Sequence, residues 1–143
     1  MLIPYKILMQ KIDILYIHPL GENPSFAKKH FNKENKNNAE HFFGFIPMGI
    51  IGVINNLIKN NIKVKGINLP LKKRVNPSFS LENCLKFYKP KIIIIDMHWY
   101  VHIKNGIEIV KQCKEALDCK IIVGGISATT FQEQLLNIKE IDY

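Results

Sequence analysis

The chain has 143 residues, 47% of them hydrophobic, which predicts one globular domain over residues 1–143 with a core from about residue 12 to the end. The formal net charge is +8, but Arg74 is the only arginine and the lysines are scattered among asparagines and isoleucines. Because phosphate and base recognition favours arginine, we expect no nucleic-acid binding. No apolar run approaches the roughly 20 residues that span a bilayer, and the first residues lack the features of a signal peptide, so we expect a cytoplasmic protein without membrane contact.

The cysteine pattern excludes two further classes. Cys84, Cys113 and Cys119 are odd in number and irregularly spaced, which fits neither a disulfide framework nor a CxxC metal clip. We therefore expect no metal held by this chain's own side chains, and no catalytic residue among the thiols.

The first half of the chain predicts strand, loop, helix and strand. Residues 12–19 form an apolar run that ends at a proline, and residues 20–46 are a long polar connection. Residues 47–61 have the apolar spacing of a helix, in which Gly49 and Gly52 suggest the close approach of a backbone or a ligand. Residues 62–70 then predict a second strand ended by Pro70.

The second half continues the same alternation. Residues 80–90 predict a short helix with Ser80 as the N-cap, and a continuous β-branched run at residues 91–97 predicts a strand covered on both faces. Three further elements follow, a helix over 102–118, a strand over 119–125 and a helix from Ser127 as its N-cap to residue 137. The final "EIDY" predicts the opening of a fifth strand.

This alternation predicts the fold class. Strands that alternate with helices indicate right-handed βαβ units, and so an α/β, Rossmann-like or flavodoxin-like, doubly wound parallel sheet of four to five strands with helices on both faces. Such sheets bind ligands beyond the carboxyl ends of their strands. The unusual residues of this sequence follow strand ends: His18, Asp96, His98, Trp99, Tyr100, Gly124, Gly125, Ser127 and Thr129. Aromatic surface, hydroxyls and bare glycine backbone together suit a large, flat, partly polar ligand.

Three motifs carry a resemblance to a known family. They are Pro-x-Gly at Pro47 to Gly49, Asp-x-His-Trp at Asp96 to Trp99, and Gly-Gly-x-Ser-Ala at Gly124 to Ala128. In this order and spacing, the chain from about residue 12 to residue 143 resembles the N-terminal cobalamin-binding domain of cobalamin-dependent radical S-adenosylmethionine proteins. The resemblance implies a cofactor module that binds cobalamin and serves a radical S-adenosylmethionine catalytic domain or subunit.

The resemblance also implies which residues contact the cofactor. Pro47, Met48 and Gly49 would border the corrin ring, and Asp96, His98, Trp99 and Tyr100 would form its wall or floor. Gly124, Gly125, Ser127 and Ala128 would line the nucleotide tail. On this interpretation, substitution of Gly125 by valine abolishes tail binding and leaves the fold intact.

Two departures from related families shape the expectation. Cobalamin domains of mutases carry Asp-x-His-x-x-Gly after the first strand, where the histidine binds cobalt; here that loop offers His18 without the pattern, so we expect cobalamin without a histidine lower ligand. The chain also lacks the CxxxCxxC motif that holds an iron–sulfur cluster. We therefore expect no iron–sulfur cluster in this chain and no catalysis by the chain alone.

Other interpretations of the same residues do not involve cobalamin. His98 and His102 have the i, i+4 spacing of a zinc pair but no third ligand in register, and Trp99 could simply pack beneath the long loop. A phosphorelay receiver would need an acidic pair after the first strand, which is missing. The main alternative is a ligand-free flavodoxin-like scaffold that recruits a protein partner.

Overall fold

The computed structural model describes residues 11–21 and 45–143. Most of the predicted polar connection, residues 22–44, lies outside the described residues, as does the segment 1–10. The strands are β1 (Ile14–His18), β2 (Val64–Asn68), β3 (Ile92–Asp96) and β4 (Lys120–Gly124). The helices are α1 (Met48–Lys59), α2 (Leu69–Val75), α3 (Leu81–Tyr88), α4 (Ile103–Ala116), α5 (Ile126–Thr130) and α6 (Gln132–Leu136), with a 3₁₀ turn at Tyr100–His102 before α4.

The four strands form one parallel sheet in the order β2-β1-β3-β4. The chain moves from β1 to β2 on one side and then crosses back to β3 on the other, so the direction of winding reverses between β1 and β3. Ile17 lies opposite Ile95, and Asp96 lies opposite Gly124. The predicted α/β doubly wound parallel fold is confirmed, and its topological switch point lies between the ends of β1 and β3.

The two faces of the sheet are covered by different helices. Right-handed crossovers place α1 on one face and α3 and α4 on the other, because the chain reverses direction between them. The main core lies on the second face; its sheet residues are Leu15, Ile17, Ile67, Ile93, Ile95 and Ile121, and its helix residues include Leu85, Ile109, Val110 and Cys113. By contrast, α1 contributes no fully buried residue.

Helix ends follow the chemistry of their caps. The Ser80 hydroxyl accepts a hydrogen bond from Asn83 N at the start of α3, as the sequence predicts. The helix α2 was not predicted, because Pro70 was interpreted as the end of a strand. Its cap explains the outcome: the Asn68 side chain accepts a hydrogen bond from Leu71 N, and Pro70 occupies the first turn, where a missing N–H has no cost.

The last predicted helix differs from the structure in two ways. It consists of α5 and α6, separated at Phe131, and its N-cap is Gly125 rather than Ser127. Gly125 has φ of 107°, a conformation that favours glycine. The prediction of Ser127 as N-cap is therefore wrong: Ser127 is the second residue of α5 and is buried, with its hydroxyl donating to the His98 carbonyl at 3.2 Å.

The end of the chain lies on the outer edge of β4. Tyr143 N donates to the Ile121 carbonyl at 3.2 Å, and Val123 N donates to the Tyr143 carbonyl at 2.8 Å. These two bonds are one step of a parallel ladder, which agrees with the predicted opening of a fifth strand. Within the described ranges, none of the helices combines the length and apolar character that crossing a bilayer requires.

Candidate functional site

The carboxyl ends of β1 to β4 form one end of the sheet, which we call the carboxyl edge. The candidate site is the part of this edge around β1, β3 and β4, where the switch point lies. Among the described residues, the polar or charged side chains that are buried all lie here: His18, Asp96, His102 and Ser127. Because burial of polar groups is costly unless they are hydrogen-bonded, their concentration at one edge marks this region of the sheet.

Four side chains form a buried polar network, defined as Tyr16, His18, Asp96 and His102. The Tyr16 hydroxyl donates to Asp96 Oδ2 at 3.2 Å, and His18 Nδ1 lies 3.0 Å from the same oxygen. Tyr16 and His18 share a face of β1 because they are two residues apart, and Asp96 ends the neighbouring strand. The carboxylate thus gathers two donors from the adjacent strand.

The network extends to the turn before α4. The rings of His18 and His102 meet edge to face with centroids 4.8 Å apart, and neither side chain is exposed to solvent (0% each). Burial and the neighbouring Asp96 carboxylate raise the pKa of Tyr16 well above its ordinary value. Tyr16 therefore remains a neutral donor to Asp96 at physiological pH.

Trp99 and Tyr100, which we call the ring pair, lie between the two ends of this network in sequence but on the outside of the molecule. The Trp99 side chain is 37% exposed and that of Tyr100 is 61% exposed. The Trp99 ring also contacts the His98 ring edge to face at 4.7 Å. Solvent-facing aromatic surface therefore lies on the short segment that joins two residues of the buried polar network, Asp96 and His102.

The ends of β3 and β4 are locked together beside the ring pair. Met97 N donates to the Gly124 carbonyl at 2.6 Å, and Ser127 N lies 3.2 Å from the Met97 carbonyl. A Cβ atom added at Gly125 would lie 2.6 Å from His98 N, which real structures do not tolerate, whereas one added at Gly124 would meet no atom within 4 Å. The expectation that valine at position 125 leaves the fold intact is therefore wrong, because this glycine permits a backbone contact.

The structure brings together some of the predicted site residues and separates others. His98, Gly124, Gly125 and Ser127 are joined by the contacts above, while Ala128 is buried in the main core. Pro47, Met48 and Gly49 lie at the start of α1, where the Met48 side chain is 79% exposed. No described contact joins this group to the ends of β3 and β4.

The glycines of α1 have no close neighbour among the described residues. A Cβ added at Gly49 or Gly52 would meet no atom within 4 Å, so within the described residues no backbone approaches them closely.

A groove of about 220 Å³ lies beside the end of β4. Its lining residues carry no charge; they are Val123, Gly124, Ala128, Thr129, Gln132, Leu135, Leu136 and Tyr143. Among the described residues, a Cβ added at Gly124 would meet no atom within 4 Å, so the groove is open at this glycine. It runs along the outer side of β4, next to the locked ends of β3 and β4.

Sequence reasoning missed Tyr16 and His102 as members of the site. The alternation of β1 could have indicated Tyr16, because it shares a face with His18 at the end of a strand. His102 was considered only as a zinc ligand; within the described ranges, no group of three metal-ligating side chains occurs. Comparisons with protein-family models, with curated proteins and with solved structures each found no match to this chain.

Proposed function

We propose that the chain is a cobalamin-binding module whose corrin ring lies against the carboxyl edge. The single observation that carries the proposal is the exposed ring pair at the switch point of a doubly wound sheet, the place where such sheets bind large ligands. Two adjacent aromatic rings that are exposed in the free protein leave apolar area in contact with water. Such a surface is suited to binding a ligand or a partner.

The neighbouring residues suit the parts of such a ligand. Trp99 and Tyr100 offer a floor for the corrin ring, and Met48 at the start of α1 offers a flexible apolar border. Gly124 and the groove of about 220 Å³ beside it offer a narrow, uncharged channel for the nucleotide tail. Gly125 and Ser127 support this surface from below, through their contacts with His98, and do not line it directly.

The buried position of His18 supports a cobalamin that does not use this histidine as its lower ligand. Its side chain is buried, and its Nδ1 is held by Asp96 Oδ2. To reach a ligand outside the protein, the ring would have to leave this network and the edge-to-face contact with His102. When bound, cobalamin supplies methyl-transfer or one-electron chemistry, and we propose that a radical S-adenosylmethionine catalytic domain or subunit uses it.

A second function is supported by a different observation. The apolar residues of α1 include Met48, Ile51, Val53 and Ile58, all of them exposed. A helix with this much exposed apolar surface suits a protein-interaction scaffold that needs no ligand. The two proposals differ in which surface is used, the carboxyl edge or the side of α1.

The test is an ultraviolet–visible spectrum of the purified protein after incubation with hydroxocobalamin, oxidised and reduced, followed by desalting. We expect retention of about one corrinoid per chain, as for a single preformed site. The double variant Trp99→Ala with Tyr100→Ala should bind about tenfold more weakly, since it loses two aromatic contacts. Phe87→Ala removes a partly exposed ring of α3 near the opposite, amino-terminal end of the sheet and should bind as the wild type does. A folded wild-type protein that remains colourless would overturn the proposal in favour of the scaffold.

A further inference from the structure

We infer that the buried polar network is a positioning device that fixes the orientation of the ring pair. The inference rests on the proposed function, because it assigns to the network the task of holding that function's contact surface. Tyr16, His18, Asp96 and His102 are then positioning residues, which act on a ligand only through Trp99 and Tyr100.

The path of the chain is the first argument. The segment from Asp96 to His102 leaves the end of β3, exposes the ring pair and returns to the sheet within one short excursion. Asp96 joins the network by hydrogen bonds at one end of this segment, and His102 joins it by ring contact at the other. Both ends of the segment are therefore fixed to the same buried group, the His18 imidazole.

The backbone geometry of the turn is the second argument. His102 N donates to the Trp99 carbonyl at 2.9 Å, so the position of His102 is transmitted directly to the peptide unit of Trp99. Contacts from Gly124 and Ser127 hold Met97 and His98, in the first half of this segment. The network is thus a constraint on the second half of the segment, beside the buried side chain of Val101.

The chemical composition of the network is the third argument. None of the four network residues belongs to the hydrophobic cluster of the main core, and a buried carboxylate with imidazoles contributes less to stability than apolar residues of similar volume often do. Hydrogen bonds between polar groups favour one geometry, whereas apolar contacts permit several similar ones, and Asp96 makes two such bonds while His102 is held through its ring. A carboxylate and two imidazoles under the ring pair suit precise placement of the segment above them.

Trp99 is the only tryptophan of the chain, so its fluorescence reports on the ring pair alone. We would measure acrylamide quenching of the ligand-free protein for wild type, Asp96→Asn and Asp13→Asn. Asp13 provides the matched control: it is a carboxylate next to β1 at the opposite end of the sheet, which accepts hydrogen bonds from Lys63 N at 3.1 Å and Lys91 Nζ at 3.2 Å. Both variants exchange a hydrogen-bonded carboxylate for an amide of the same shape.

We expect the quenching constant of Asp96→Asn to rise about twofold, with a shifted emission maximum, because the released segment exposes the indole more often. Asp13→Asn should quench as the wild type does. Equal quenching in all three proteins, or an equal change in both variants, would overturn the inference, because the network would then be merely structural.

Tyr16→Phe keeps the test decisive if Asp96→Asn does not fold. It removes only the hydroxyl that donates to Asp96 and keeps the ring, so we expect a smaller change in the same direction. An unchanged emission and quenching constant in folded Tyr16→Phe would then count against the inference. The failure of the wild-type protein to retain hydroxocobalamin would overturn the proposed function, while the quenching comparison would still decide whether the network positions the ring pair.

Discussion

Two aspartates join neighbouring parts of this sheet in opposite surroundings. Asp96 is 6% exposed and accepts from a tyrosine and a histidine. Asp142, on the outer edge of β4, accepts from Lys114 Nζ at 2.8 Å, Lys120 Nζ at 2.7 Å and Ile121 N at 2.8 Å. Asp96 is thus surrounded by a tyrosine hydroxyl and an imidazole in the interior, and Asp142 by lysines near solvent.

The difference separates two uses of a carboxylate. The lysine contacts of Asp142 lie near the surface, where attraction is weak and screened by salt, and they fasten the end of the chain to β4. Asp96 lies where an unpartnered group would be costly, so its contacts define geometry as well as stability. The contacts of Asp142 therefore fasten the end of the chain to β4, whereas those of Asp96 fix the geometry of the candidate site.

The largest expected effect on stability is that of a substitution at Gly125, which follows β4 and contacts His98. Gly125→Val places a Cβ 2.6 Å from His98 N and requires a left-handed φ, so we expect a loss of about 3 kcal/mol or more in the free energy of unfolding. Gly124→Ala is the matched control, since its Cβ meets open space, and should change stability by less than about 1 kcal/mol. Urea denaturation followed by circular dichroism measures both, and similar losses in the two variants would contradict the close contact at Gly125.

The second effect compares the two carboxylates directly. Asp96→Ala leaves the Tyr16 hydroxyl and His18 Nδ1 buried without their acceptor, so we expect a loss of about 2–4 kcal/mol. Asp142→Ala should cost less, about 1–2 kcal/mol, because its lysine partners return to water and only the Ile121 N–H loses a partly buried acceptor. In 1 M sodium chloride the cost of the Asp142 change should shrink while that of Asp96 persists. A salt-sensitive Asp96 effect would show that this carboxylate is not shielded from solvent.

The third effect is the pH dependence of Asp142. Hydrogen bonds from Lys114 and Lys120 hold the pKa of Asp142 well below its ordinary value of 3.8. A depressed folded-state pKa contributes stability above about pH 4, which is lost as the pH falls through the folded-state value. Thermal unfolding between pH 6 and pH 2 should therefore show a shallower acid loss in Asp142→Asn than in the wild type. Parallel curves for the two proteins would argue against this ion pair.

The smallest effect concerns Tyr16 at alkaline pH. Burial raises the pKa of Tyr16 above its ordinary value of 10.0, so its contribution to stability is present below pH 10 and declines above it, where the unfolded chain ionises. Tyr16→Phe should cost about 1 kcal/mol at neutral pH for the lost hydrogen bond. It should also reduce the loss of stability between pH 9 and about 11. If the alkaline loss is identical in both proteins, Tyr16 is not the group responsible.

Much of the fold was predictable because its signals are local. The β-branched run of β3 and the Ser80 cap of α3 indicate their elements without any tertiary information. The helix α2 and the cap at Gly125 were not predicted, because in each case a single residue is compatible with two different local structures. Pro70 suits a strand end and a first helical turn equally well, and only the capping Asn68 distinguishes them.

The candidate site was less predictable because it is assembled between strands. The sequence indicates which loops meet at the carboxyl edge, and therefore that Asp96, Trp99 and Gly124 lie in one region. It does not indicate depth: Asp96 is buried whereas Tyr100 is exposed, although they are four residues apart. The pairing of Asp96 with Tyr16 and His18 depends on strand register, which no local pattern defines.

The most direct test of the central claim, that the carboxyl edge is a platform for cobalamin, is a titration of the wild-type protein with hydroxocobalamin followed by Trp99 fluorescence. Free N-acetyltryptophanamide, titrated in parallel, corrects for absorption of light by the corrin. The account predicts saturable quenching that ends at about one corrinoid per chain, because the ring would lie against the indole. Quenching that only matches the free amide would contradict the claim and direct attention to protein partners of α1.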